Sequence, residues 1–90
     1  MAFEFDLSKS RANWEKHGID FVRAQELWKD PERIQIPART GTESRFLIVG
    51  KLDDKHWSAV VTYRESVVRI ISVRRAWTKE VREYEGKRFR

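Results

Sequence analysis

The sequence predicts an α+β fold: an antiparallel β-sheet meander with two N-terminal helices and one C-terminal helix, the helices grouped on one side. Two patterns carry this reading. Apolar residues recur at helical intervals only towards the two ends of the chain, at Phe21, Ala24, Leu27 and Trp28 and again at Val81 and Tyr84. Between them lie alternating or β-branched runs around Ile34 and Ile36, at Phe46 to Val49, at Trp57 to Tyr63 and at Val67 to Val73.

Taken in order, Phe3 and Phe5 flank Glu4 and suit a short first strand, and Asp6 stands where it can cap the following helix. That helix runs from Leu7 to His17, with Gly18 at the C-cap. Lys16 and His17 occupy its last turn, where the helix dipole favours cations by a few tenths to about 1 kcal/mol each. A second, amphipathic helix starts at Phe21 and ends near Asp30 and Pro31. Ile34 and Ile36 then form a short strand closed by Pro37. Residues Pro37 to Ser44 make the loosest stretch, turning at Thr40, Gly41 and Thr42. The next two strands share a hairpin at Asp53 and Asp54, with Gly50 marking a bulge or a close approach. After a tight turn at Glu65 and Ser66, Val67 to Val73 is apolar on both faces and reads as an interior strand. The terminal helix covers Lys79 to Glu85. One domain spans residues 1–86, and 87–90 form a basic tail.

Composition narrows the chemistry. A chain of 90 residues that is 40% hydrophobic, with five Phe and four Trp, folds despite 37% charged residues. No apolar run approaches the ~18 residues of a membrane span, and Met1 to Asp6 is not a signal peptide, so the expected location is the cytoplasm. Absence of cysteine excludes disulfides, thiol catalysis and cysteine-based zinc sites. His17 and His56 are isolated, Asp53 and Asp54 are turn residues, and no phosphate loop or dinucleotide fingerprint is present, so neither a metal nor a cofactor is expected. The net charge of +5 and pI near 9.9 point to an acidic partner.

Arg64, Arg69, Arg74 and Arg75 fall within twelve residues on two adjacent strands. Strand alternation separates Arg69 from Arg74 unless a bulge intervenes, so Arg69 is expected to pair with a carboxylate. Arg74 shares its face with Ser72 and Ile70, and Arg75 begins the turn into the helix. Guanidiniums at such a junction present a fixed fork of donors to phosphate oxygens, and Arg64, Arg74 and Arg75 are the candidate contacts. A solvated charged edge that blocks sheet aggregation is the plainer account of the same residues. Likewise, helix termination alone explains Lys16 and His17, dipole compensation explains Glu80, and core packing explains Tyr84.

Arg, Lys, His, Glu and Tyr are sufficient for metal-free RNA cleavage. The ribose 2′-hydroxyl is the nucleophile, so the protein supplies a base, cations for the pentacoordinate phosphate and an acid for the leaving 5′-oxygen. Arg74 and Arg75 are the cations in this scheme, with Arg64 holding the backbone, His17 or Glu80 as base and Lys16 or Tyr84 as donor; Lys79 is a further RNA contact. Two other readings use the same residues: a basic module that binds nucleic acid or protein without chemistry, and a structural partner whose exposed Trp14 or Trp77 docks a helix.

Phe5, Asp6, Lys9, Asn13, the run Lys16, His17, Gly18, then Phe21 and Ala24, followed by Arg45, Phe46, Gly50, Thr62, Arg64, the block Arg69 to Ala76, and Glu80, Tyr84 and Glu85, together resemble the BrnT toxins. The resemblance implies a RelE-like fold and a translation-arresting ribonuclease, the toxin of a type II toxin–antitoxin pair. It also implies a BrnA-type ribbon-helix-helix antitoxin, a toxin–antitoxin heterotetramer, and contact with operator DNA only through that antitoxin. Carried over by position, Arg64, Arg74 and Arg75 match the family's basic residues, Lys16 and His17 the motif beside them, and Glu80 and Tyr84 the terminal-helix pattern. Trp77 and Val81 stand where relatives more often have small or basic residues, which implies a terminal helix given more to packing.

Overall fold

The computed structural model describes residues 1–38 and 43–87. The expected turn at Thr40 to Thr42 and the tail beyond residue 87 lie outside them. Five strands form one sheet in the order β1-β5-β4-β3-β2. They are β1 (Ala2–Glu4), β2 (Ile34–Ala38), β3 (Arg45–Leu52), β4 (Lys55–Arg64) and β5 (Val67–Arg75), with helices α1 (Leu7–His17), α2 (Phe21–Ala24) and α3 (Thr78–Lys87). From β2 to β5 the sheet is the expected antiparallel meander. The all-antiparallel expectation fails at β1, which pairs parallel to β5 with Ala2 opposite Val67 and Glu4 opposite Arg69. Alternation over so short a strand carries no information about direction. By covering part of the second edge of β5, β1 makes that strand interior, as its apolar pattern requires.

Local chemistry sets the helix ends. The Asp6 carboxylate accepts from the N–H groups of Ser8 (2.8 Å) and Lys9 (3.1 Å). Gly18, at φ 74°, closes α1 by donating its N–H to Trp14 O at 2.8 Å. The single second helix expected from periodicity is instead α2, one turn long, continued by a 3-10 turn over Gln25–Lys29. Three- and four-residue spacing fits both helix types, so the sequence pattern could not separate them. The tightened segment seats Leu27 against β3, where a side chain on Gly50 would come within 3.0 Å of Leu27 Cδ2. Of the bulge or close approach expected at Gly50, the close approach is present. β2 runs one residue past Pro37, which an edge strand tolerates.

Residues opposite each other in an antiparallel pair share a face. One face carries Ile48, Ala59, Val61, Ile70 and Val73, buried against Phe21, Ala24 and Leu27. The other carries Val49, His56, Ser58 and Arg74, and α3 packs there. The helices are therefore not grouped on one side. Val49 is fully buried on the face away from Leu27, so that face needs a cover of its own. Within β5, Ile70 pairs with Val61 and Ser72 with Val60, which leaves Ile71 as a bulge. The bulge restores Val73 to the core face.

At the end of the sheet formed by the β3–β4 hairpin, β1 and β2 do not reach, and side chains close the open edges. Asn13 substitutes for a strand neighbour of β5: its Nδ2 donates to Val73 O and Ile19 O (both 2.8 Å), and its Oδ1 accepts from Val73 N (3.2 Å). On the β3 side the Asp30 carboxylate accepts from Lys51 N (2.9 Å) and from the Tyr84 hydroxyl (2.7 Å), tying the 3-10 turn to α3 around the sheet edge. Replacing Asn13 by Ala strands three buried backbone groups. The expected cost is roughly 3 kcal/mol or more at about 1–3 per group, read as a lowered midpoint in urea unfolding.

Candidate functional site

Arg74 and Arg75 end β5 and point to opposite faces. Arg74 faces α3, where it meets Glu80 in a two-bond fork, Nη1 to Oε1 at 2.8 Å and Nη2 to Oε2 at 2.9 Å. Glu80 Oε1 also accepts from Ser58 Oγ (2.8 Å) and from the N–H of Trp77 (2.9 Å), the residue preceding α3. Burial, at 5% exposure, pushes the Glu80 carboxyl up, and the bonds from Arg74, Trp77 and Ser58 outweigh it and hold its pKa below the ordinary 4.5. An ionised carboxylate held in this way, with three bonds at Oε1 and one at Oε2, orients Arg74. The Arg74 guanidinium lies 3.8 Å from the ring centroid of Trp77, which further fixes it.

Arg75 is exposed on the other face, its guanidinium 5.5 Å from the ring centroid of Trp57. Trp57 shares a groove with Gly18, Ile19 and Lys55. The end of α1 arrives there because Asn13, one turn earlier, is bonded to Val73. Exposed Lys16 and half-buried His17 therefore belong to the same end of the sheet as Arg75. Lys79 is exposed in the first turn of α3.

Two expected members are placed elsewhere. Tyr84 is 2% exposed with its hydroxyl on Asp30, so it serves the core and offers no surface to a ligand. Arg64 pairs with Val67 at the opposite end of the sheet, six residues along β4 from Ser58, which faces Arg74. At about 3.3 Å per residue the separation is roughly 20 Å. There Arg64 approaches Glu4 and Glu43 at 3.9 Å, while Arg69 takes the expected carboxylate partner, Glu4, at 2.8 Å. The Ile71 bulge puts Arg69 and Arg74 on one face and removes Ile70 from it, against the alternation.

His56 and Ser58 were not singled out by sequence reasoning. His56 Nε2 lies 2.7 Å from Glu85 Oε2, with its ring edge-on to Tyr84 at 5.2 Å. Their signal is cross-strand register, Ser58 facing Arg74 and His56 two residues earlier on the same face, which no local pattern displays. Among the described residues no group of His, Cys, Asp or Glu is arranged to hold a metal ion, and no helix is long and apolar enough to cross a membrane.

Arg74, fixed on Glu80, and exposed Arg75 end β5 of a basic α+β domain, with exposed Lys79 in the first turn of α3. Over residues 5–80 the chain matches the family model of the ribonuclease toxin BrnT of type II toxin–antitoxin systems, and it belongs to that family. No curated protein matches it.

The Glu80 network has a pH signature. Asp30 behaves likewise: burial raises its pKa, and the bonds from Tyr84 and from the Glu32 and Lys51 N–H groups lower it further, to below 3.8. Groups with depressed folded-state values contribute stability that is complete above their unfolded values and disappears as pH falls through the folded ones. The melting temperature is expected to be level from about pH 6 to 5 and to drop below about pH 4. Glu80→Gln should flatten that drop while costing roughly 3 kcal/mol at neutral pH by leaving Arg74 without its ionised partner; thermal unfolding across pH checks both.

Proposed function

We propose that this chain is a metal-independent endoribonuclease that arrests translation, working at the end of β5. The family membership identifies a ribonuclease toxin. The observation that carries the site is the Arg74–Glu80 fork beside an exposed Arg75. In the reaction the ribose 2′-oxygen bonds to phosphorus as the bond to the 5′-oxygen breaks, leaving a 2′,3′-cyclic phosphate and a 5′-hydroxyl. Arg75, able to swing, follows the non-bridging oxygens as charge develops, and Arg74 supplies a fixed positive potential from the other side of the strand end. Of the groups considered for proton transfer, Glu80 and Tyr84 are engaged inside the protein. This leaves His17 to take the 2′-hydroxyl proton and Lys16 to donate to the 5′-oxygen. Arg64, far from the reacting bond, holds the RNA backbone, and Lys79 contacts a neighbouring phosphate.

As a type II toxin the chain works in the cytoplasm and is neutralised by a BrnA-type ribbon-helix-helix antitoxin, which covers the basic site. The pair assembles as a heterotetramer on the antitoxin dimer and represses its own operon, with operator DNA touched only by the antitoxin.

Antitoxin-free protein incubated with total RNA in EDTA is expected to yield cyclic-phosphate ends. Arg75→Ala should slow cleavage about a hundred- to a thousandfold, whereas Arg64→Ala should weaken binding and reduce its salt dependence with little change in the cleavage step. Full cleavage by both Arg74→Ala and Arg75→Ala in folded protein would remove the site from the end of β5. Salt-dependent RNA binding by the wild type without any product would favour a binding module instead.

A further inference from the structure

The geometry points to Trp77 as a stacking platform for a nucleobase of the bound RNA, next to the phosphate contacts at Arg74 and Arg75; this rests on the ribonuclease reading above. Trp77 is the residue before α3, and its carbonyl accepts the first helical bond, from Val81 N at 2.9 Å. That N-cap position favours Ser, Thr, Asp or Asn, whose side chains can accept from the helix's unpaired N–H groups. An indole cannot do so. The fold gains no cap from Trp77, yet a large aromatic stands there at 64% exposure.

The ring is also held still. Its backbone N–H is bonded to Glu80 Oε1 (2.9 Å), and the Arg74 guanidinium lies over the ring at 3.8 Å from the centroid, itself locked by Glu80. With the cation on one face, the exposed remainder offers a preorganised π surface backed by positive charge. Exposed Arg75 and Lys79 lie two residues to either side, so a base on the ring has cations near its own phosphates.

The other tryptophans lack this combination. Trp57 is 9% exposed, and Trp28 is packed edge-on against Phe3 with centroids 4.9 Å apart. Trp14 is 59% exposed, but its groove is lined by apolar Phe5, Leu7 and Val22, and there the single cation, Arg11, is outnumbered by the carboxylates of Glu15 and Asp20. Trp77 pairs an open ring with a guanidinium fixed over one face and with exposed Arg75 and Lys79 close by in the chain.

The test titrates the full chain with a single-stranded, uniformly 2′-O-methylated RNA, which binds but lacks the attacking hydroxyl, and with versions carrying one abasic position. Trp77→Ala and Trp77→Ser are expected to weaken binding about 5- to 150-fold, the range for losing one stacked base, and Trp77→Phe to restore most of it. On cleavable RNA the Ala variant should raise KM more than it lowers kcat. Trp77→Ser, which supplies the missing cap, should not lower the melting temperature. One abasic position should weaken wild-type binding to a similar degree and have little further effect on Trp77→Ala. If wild type cleaves RNA but Trp77→Ala binds equally well, or no abasic position matters, the stacking role is overturned and the ribonuclease reading stands. If wild type neither binds nor cleaves RNA, both fall.

Discussion

The ionised carboxylate of Glu80, buried beneath α3, is the contact on which the candidate site depends. Three parts of the chain meet at its two oxygens: β5 through Arg74, β4 through Ser58, and the residue leading into α3 through the Trp77 N–H. A buried carboxylate is stable only when hydrogen bonds replace its hydration, and here each of those bonds also specifies geometry. The same group sets the direction of a strand-end arginine, the angle at which α3 leaves the sheet and the orientation of an exposed indole.

Fixing Arg74 in this way has a cost for chemistry as well as a use. Part of its charge is neutralised by Glu80, while Arg75 forms no ion pair with a carboxylate among the described residues and stays exposed. The two residues are adjacent in sequence and distinct in role because a β-strand sends neighbours to opposite faces.

Strands β2 to β5, helix α1 with both caps and the close approach at Gly50 were legible because each is written in local patterns: alternation, an Asp before a helix, a Gly after it. What was not legible depends on register and on distance along the chain. Nothing near Ile71 announces a bulge, yet that one residue moves Arg74 to the face of Arg69. The parallel docking of β1, the placement of α3 on the second face, and the meeting of His56 with Glu85 are set by which surfaces remain to be covered once the meander has formed. The distance between Arg64 and Arg74 was hidden for the same reason: near in sequence, they stand at opposite ends of the β4–β5 hairpin.

The bonds that join the elements at both ends of the sheet link residues far apart in the chain. Asn13 reaches Val73 over a separation of 60 residues, and Glu4 reaches Arg69 over 65. Contacts of such range form after local ones, because the loop they close must be ordered first. On a chain synthesised from its N-terminus, α1 therefore has no edge to dock on until β5 has been made, and Arg74 has no carboxylate until Glu80 follows. The cationic end takes shape only once β5 and Glu80 have both been made.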